Sequence, residues 1–324
     1  MSAPTSGRDA AALSALLPAG LLGVGLAWLL ARPDFAPAAA LIRVVADGTG
    51  ATVLGLAALP RLHERLRTPW LAMAVLGGVW WVAEAGVLVC GAAEVVGVPV
   101  VDLGAGQFAD YVGQVGTGRI GLAVLLGVAV LTGYSALAFR RDGRSWPAEP
   151  SADLVLVFAA VALALRPVTG HMSQQPLGSV LAAAHALAAA AWLGLLVALA
   201  LVARGRAEWA AALPRYSALA LPLAAVVATT GVLNGFIRLA ADDPARPAGL
   251  VGTGLVGTGY GRVLLAKATV LVALLALGWW WRRDWVRRAS GHRMSAGDSL
   301  RRAVLDAALM TIAFGLAAAL AVTA

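Results

Sequence analysis

The sequence predicts an all-α fold, a polytopic membrane bundle of about nine transmembrane helices. Composition is the first observation behind this. Of 324 residues, 60% are hydrophobic and 13% charged, with a mean hydropathy of +0.81, whereas soluble domains are about 45–50% apolar and about 25% charged. The second is length: many windows reach the ~20 apolar residues that a spanning helix needs. The third is an alternation of charge from loop to loop, the mark of a chain threaded repeatedly through a bilayer.

The spans fall at roughly 11–31, 38–60, 70–91, 117–139, 151–169, 177–203, 215–239, 260–281 and 302–323. The first reads as an uncleaved signal-anchor, because only Arg8 supplies a basic side chain ahead of it. Basic loops follow the second, fourth, sixth and eighth spans: RLHERLRTP, FRRDGRSWP, RGRAEW and RRDWVRRASGHRMSAGDSLRR. The intervening loops, RPDF, the Glu94 to Asp110 segment, RPVTGHMSQQP and ADDPARP, are poor in arginine or acidic. The positive-inside rule then places the N-terminus in the cytoplasm and the C-terminus outside, in an inner (plasma) membrane. The net charge of +8 is explained by these loops, with no call for nucleic acid; the lipid bilayer is the expected partner. A single cysteine, Cys90, excludes an internal disulfide and any CxxC motif.

The chain also repeats itself. VAEAGVL (82–88) resembles VATTGVL (227–233), VGTGRI (115–120) resembles VGTGYGRV (256–263), and FRRD (139–142) resembles WRRD (281–284). The shifts are all near 140 residues, and copies four spans apart share an orientation. This predicts two parallel four-helix repeats, 1–146 and 147–288, related by an axis along the membrane normal. Residues 289–324 add the end of a loop and one C-terminal helix.

Ionisable and polar residues within spans are costly and by default functional. His185 lies about 12 Å below the outer face at 1.5 Å per residue, with Asp47 at similar depth, Glu84 shallower and Lys267 about 10 Å down its span. Thr229, Thr230 and Asn234 lie in the outer part of the seventh span. All fall in the outer half, which predicts a hydrated vestibule open to the outside. Met73, Gly77, Trp80 or Trp81, and Glu84 share one stripe of the third span, with the methionine and tryptophans read as packing. Arg43 and Asp47, at i, i+4, read as an intrahelical ion pair. Lys267, the only lysine, is expected to neutralise Glu84 or Asp47. His63 and His292 fall in basic loops and read as solvated.

His171, Met172 and His185 carry the case for chemistry. Imidazole binds Cu, Zn, Fe and Ni, and a thioether narrows the choice toward Cu(I). With a helix beginning near Leu177, about 12 Å separates His171 from His185. This favours two successive stations on a path over one closed site. Bis-His haem needs two imidazoles on facing helices, and only His185 lies clearly within a span. No nucleophile elbow, HExxH or phosphate loop occurs, so no enzyme activity is expected. A proton relay through Asp47, Glu84, His185 and Lys267 stays open.

Three stretches then resemble the CopD family of bacterial copper-resistance membrane proteins: GHMSQQPLGSVLAAAHALAAAAWLGLL, PRYSALALPLAAVVATTGVLNG and GTGYGRVLLAKATVLVALLALGWWWRR, together about 170–283. GRIGLAVLL extends the likeness weakly into the first half. The resemblance implies copper handling at the inner membrane, usually uptake, alongside a periplasmic copper-binding CopC-type protein. It implies roles for His171, His185 and Lys267; Met172 rests on the chemistry alone. The expectation is copper entry through a vestibule lined by His171, Met172 and His185 and shaped by Asp47, Glu84, Asn234 and Lys267. A membrane-embedded copper chaperone or cuproenzyme assembly factor is the alternative. A proton-coupled carrier of another solute is the third reading.

Overall fold

A computed structural model describes residues 13–31, 37–64, 66–141, 150–168, 177–242 and 256–323. Among these the regular structure is helical, with no strand. In order the helices are α1 (Leu16–Ala31), α2 (Pro37–Leu62), α3 (Trp70–Val96), a 3₁₀ turn (Val100–Asp102), α4 (Ala105–Gln114), α5 (Gly116–Arg141), α6 (Ala152–Val168), α7 (Gly178–Val202), α8 (Arg206–Asp242), α9 (Gly259–Arg283), α10 (Trp285–Ser290) and α11 (Ala296–Thr323). Each expected span has its helix. Seven of them are long and apolar enough to cross a membrane; α1 and α6, at 16 and 17 residues, are shorter. The protein is a multi-pass membrane protein.

Two helices were not expected. The Glu94 to Asp110 segment, read as a loop, contains most of α4, whose Tyr111 is buried against Leu88 and Ala92 of α3. The basic loop before α11 contains the single-turn α10, where Trp285 packs edge-on against Trp281 and donates from Nε1 to Ser299. Neither helix is long enough to register as a hydrophobic window.

α7 forms the centre. It is buried at almost every position from Ala188 to Ala200, as expected of a helix apolar on all sides. It crosses α2 with the backbones in contact. A Cβ on Gly55 would collide with the carbonyl of Gly194, and one on Gly194 would collide with the carbonyl of Ala51. Lipid supplies no hydrophobic drive between helices, so close backbone approach at small residues is what holds such pairs together. α3, α6 and α8 pack around this pair. α5 lies against α3 and α6, and α9 against α11, α1 and α8. α11 is no appendage: it packs on α1, α2, α7 and α9.

One end of the bundle is arginine-rich. Arg61 at the end of α2 pairs with Asp153 at the start of α6, and Arg206 at the start of α8 donates to the carbonyl of His292. The internal polar residues described next lie toward the opposite end.

Candidate functional site

Two polar centres occupy that opposite half. The first joins α2, α3 and α6. Arg43 and Asp47, one turn apart, approach to 3.7 Å, as their spacing predicts. Arg166 in the last turn of α6 donates from Nη1 to Asp47 Oδ1 at 2.7 Å and pairs through Nη2 with Glu84. Glu84, only 5% exposed, also accepts from Trp80 Nε1 at 2.8 Å. Met73, Gly77, Trp80 and Glu84 form one buried stripe of α3, as expected. Trp81 instead points outward, 41% exposed.

The partner of the carboxylates is a correction. Lys267 was expected to neutralise Glu84 or Asp47, but Arg166 does so. Arg166 falls where the expected span 151–169 overlaps the RPVTGHMSQQP loop; α6 continues through Val168, despite Pro167, and its guanidinium reaches Asp47 and Glu84. Two arginines thus face two carboxylates, and the centre is close to neutral.

The second centre joins α7, α8 and α9. His185 Nδ1 lies 2.9 Å from Thr230 Oγ1, and Nε2 lies 3.4 Å from Lys267 Nζ. The tautomer follows from the partners. Thr230 commits its hydroxyl hydrogen to the Val226 carbonyl at 2.5 Å, so toward His185 its oxygen accepts. An ammonium donates only, so Nε2 accepts from Lys267. Both contacts require the hydrogen on Nδ1 and leave the Nε2 lone pair facing Lys267. That lone pair is the atom by which an imidazole binds a metal.

Close packing holds the ring. A Cβ on Gly231 would sit 3.3 Å from the ring carbon Cε1, so glycine at this position lets α8 press against the imidazole. One turn beyond Thr230 lies Asn234. Among the described residues its buried side-chain oxygen has no hydrogen-bond partner, an acceptor that in lipid costs free energy unless something fills it. The lone pair on His185 and the amide oxygen of Asn234, one turn from Thr230, are neutral donors of the kind a cation can use. Among the described residues no cluster of three His, Cys, Asp or Glu could cage a metal.

His171 and Met172 lie outside the described residues. Cys90 is free and partly buried near the end of α3. His292 is exposed, in a left-handed turn at φ 54°. Sequence reasoning weighed Thr230 only as one polar residue among several; its role as acceptor for Nδ1 needs the α7–α8 packing to be seen. Arg166 was missed because its neighbours Pro167 and Gly170 read as loop.

No curated protein and no solved structure matches the chain. A family model does match, over residues 210–320. The match begins in α8, after His185, and runs through α9 and α10 into α11, so it takes in Thr230, Asn234 and Lys267. These residues, about a third of the chain, are similar to the CopD family, copper resistance protein D.

Proposed function

We propose that the protein admits copper from the extracytoplasmic side, with His185 as the intramembrane station. His171 and Met172 would receive the ion first, at the mouth. The ion then passes to His185 Nε2, with Asn234 lending its amide oxygen. The carrying observation is the Nε2 lone pair, set by the Thr230 contact and covered, among the described residues, by the Lys267 ammonium. Support for copper as the cargo comes from the CopD match and from the softness of the imidazole and thioether donors.

In this reading Lys267 holds the place of the ion. Its Nζ and a copper ion compete for one lone pair, and like charges exclude one another, so arrival of the ion displaces the lysine side chain. A site that binds moderately and releases readily is what conduction requires. Asp47 and Glu84, already matched by Arg43 and Arg166, shape the field from the neighbouring centre and do not ligate. The arginine-rich end faces the cytoplasm of the inner membrane, leaving the N-terminus inside and the C-terminus outside. A CopC-type protein would deliver copper at the opposite face. The two four-helix repeats, 1–146 and 147–288, would meet at the Gly55–Gly194 crossing.

The experiment compares copper accumulation in cells expressing the wild type, His185→Ala and His171→Ala. Accumulation above background that falls in both variants supports uptake, and equal accumulation in all three overturns it. Purified protein in liposomes separates the readings further. Copper bound to the protein without flux into the lumen would assign it a chaperone or assembly role.

A further inference from the structure

The arginine-rich end carries a cavity unconnected with the polar centres. Arg288, Arg293, Met294, Asp298, Arg301 and Arg302 line a space of about 330 Å³ between α10, the turn that follows it and the start of α11. Four guanidiniums against one carboxylate leave the lining strongly positive. Arg288 and Arg302 both pair with Asp284, at 3.0 and 2.7 Å. That shared carboxylate fixes their direction but does not cancel both charges. Asp298 is engaged by the Ser295 hydroxyl at 2.7 Å and only distantly by Arg301, at 4.0 Å. Arg293 has no side-chain ion pair among the described residues.

The surroundings place this cavity at a bilayer surface. Trp279 and Trp280, in the last turns of α9, are 59% and 63% exposed, and the Arg283 guanidinium lies 3.9 Å over the Trp279 ring. Exposed tryptophans at a helix end mark the headgroup level. One helical turn past Arg301 on the same face of α11 stands Leu305, 60% exposed. Leu305 therefore offers an exposed apolar contact one helical turn from the cavity's Arg301. A soluble phosphate would use the arginines but not Leu305; a molecule with a phosphodiester and an acyl chain would use both.

We propose that this cavity is a binding site for the phosphodiester headgroup of an anionic glycerophospholipid. Arg293 and Arg301 grip the phosphate, Arg288 and Arg302 supply the preset positive wall, and an acyl chain lies along Leu305. Arginine suits this because its planar fork meets two phosphate oxygens at once. Bound lipid would tie α10 to α11, and through Asp284 to the end of α9.

The test uses full-length delipidated protein in a neutral detergent. Phosphatidylglycerol, phosphatidylcholine and inorganic phosphate are titrated separately, and binding is read by native mass spectrometry and by the shift in unfolding temperature. The cavity variant is Arg293→Gln/Arg301→Gln, which spares both pairs to Asp284. The control is Arg282→Gln/Arg287→Gln, which removes the same charge from nearby residues that do not line the cavity. Phosphatidylglycerol should bind and stabilise the wild type and the control alike, with apparent affinity about tenfold or more weaker in the cavity variant. Equal binding by the cavity variant and the control would reduce the arginines to a diffuse surface charge and overturn the site. Stabilisation by inorganic phosphate equal to that by phosphatidylglycerol would overturn the lipid. No copper measurement enters, so this outcome is independent of the transport reading.

Discussion

Replacing Arg166 by methionine keeps most of its length and removes its charge, and the structure says which carboxylate suffers. Asp47, 26% exposed, retains Arg43 at 3.7 Å. Glu84, 5% exposed, retains among the described residues only the neutral Trp80 Nε1 donor. Removing one member of a buried pair costs about 3–5 kcal/mol, because the other charge is stranded. A carboxylate uncompensated near the centre of a spanning helix costs about 2.5–3.5 kcal/mol on insertion scales. The two estimates meet near 3 kcal/mol, nearly all of it at Glu84. Adding Glu84→Gln removes the stranded charge while keeping an acceptor for Trp80, and should recover about 2 kcal/mol, the cost typical of a lost buried charge less its hydrogen bond.

The assay is reversible unfolding in mixed micelles, followed through tryptophan fluorescence, for wild type, Arg166→Met, Glu84→Gln and the double variant. Arg166→Met should be the least stable of the four. The coupling between the two substitutions should be strongly favourable, as in any double-mutant cycle on a direct contact. If Arg166→Met unfolds where the wild type does, or if the double variant is no more stable than Arg166→Met alone, the assignment of Arg166 as the partner of Glu84 is wrong.

Thr230→Val keeps the shape of the side chain but removes the acceptor for His185 Nδ1–H; copper affinity of the purified protein should fall about 10–100-fold, the usual cost of losing a ligand's outer hydrogen bond. Lys267→Met uncovers Nε2 without adding charge, so copper retained per chain after desalting should rise, and unchanged retention would show that the lysine does not compete for the site. Gly194→Val drives a side chain into the α2 backbone at Ala51 and should destabilise by about 1–3 kcal/mol or more. Gly48→Ala, with open space beside it, should be neutral or stabilising by up to about 1 kcal/mol; equal unfolding midpoints for the two would refute the close crossing.

The helices at the nine expected spans were legible because each is an apolar run, seven of them long enough to cross a membrane. The buried stripe from Met73 to Glu84 and the Arg43–Asp47 pair were legible too, since both are set by helical spacing within one element. What lay hidden depends on contacts between elements. Arg166 stands beside Pro167 in a stretch that reads as loop, yet three helices converge on its guanidinium. Opposite charges attract, so the sequence pairs Lys267 with a carboxylate; in the fold the carboxylates are already satisfied, and the Lys267 side chain reaches His185 of α7 instead. α4 and α10 are too short and too mixed in polarity for a hydropathy window to detect.

In the uptake reading, the positions of the two centres bear on which of them would receive a cation. Asp47 lies eight residues before Gly55 on α2, and His185 nine residues before Gly194 on α7. At 1.5 Å per residue both sit about 12–14 Å from the glycine crossing, toward the same end. Both centres therefore share one depth, on parallel helices locked together by backbone contact. At that depth the carboxylates, the expected magnets for a cation, are saturated by Arg43 and Arg166. An arriving cation finds no uncompensated negative charge there. On the α7 side it would meet a neutral imidazole lone pair and an unfilled amide oxygen, opposed by one lysine that pairs with no carboxylate among the described residues. Neutral donors favour a soft ion that binds imidazole strongly over a hard ion that needs carboxylates. Selectivity would then come as much from the arginines that silence the acidic centre as from the histidine that receives the metal.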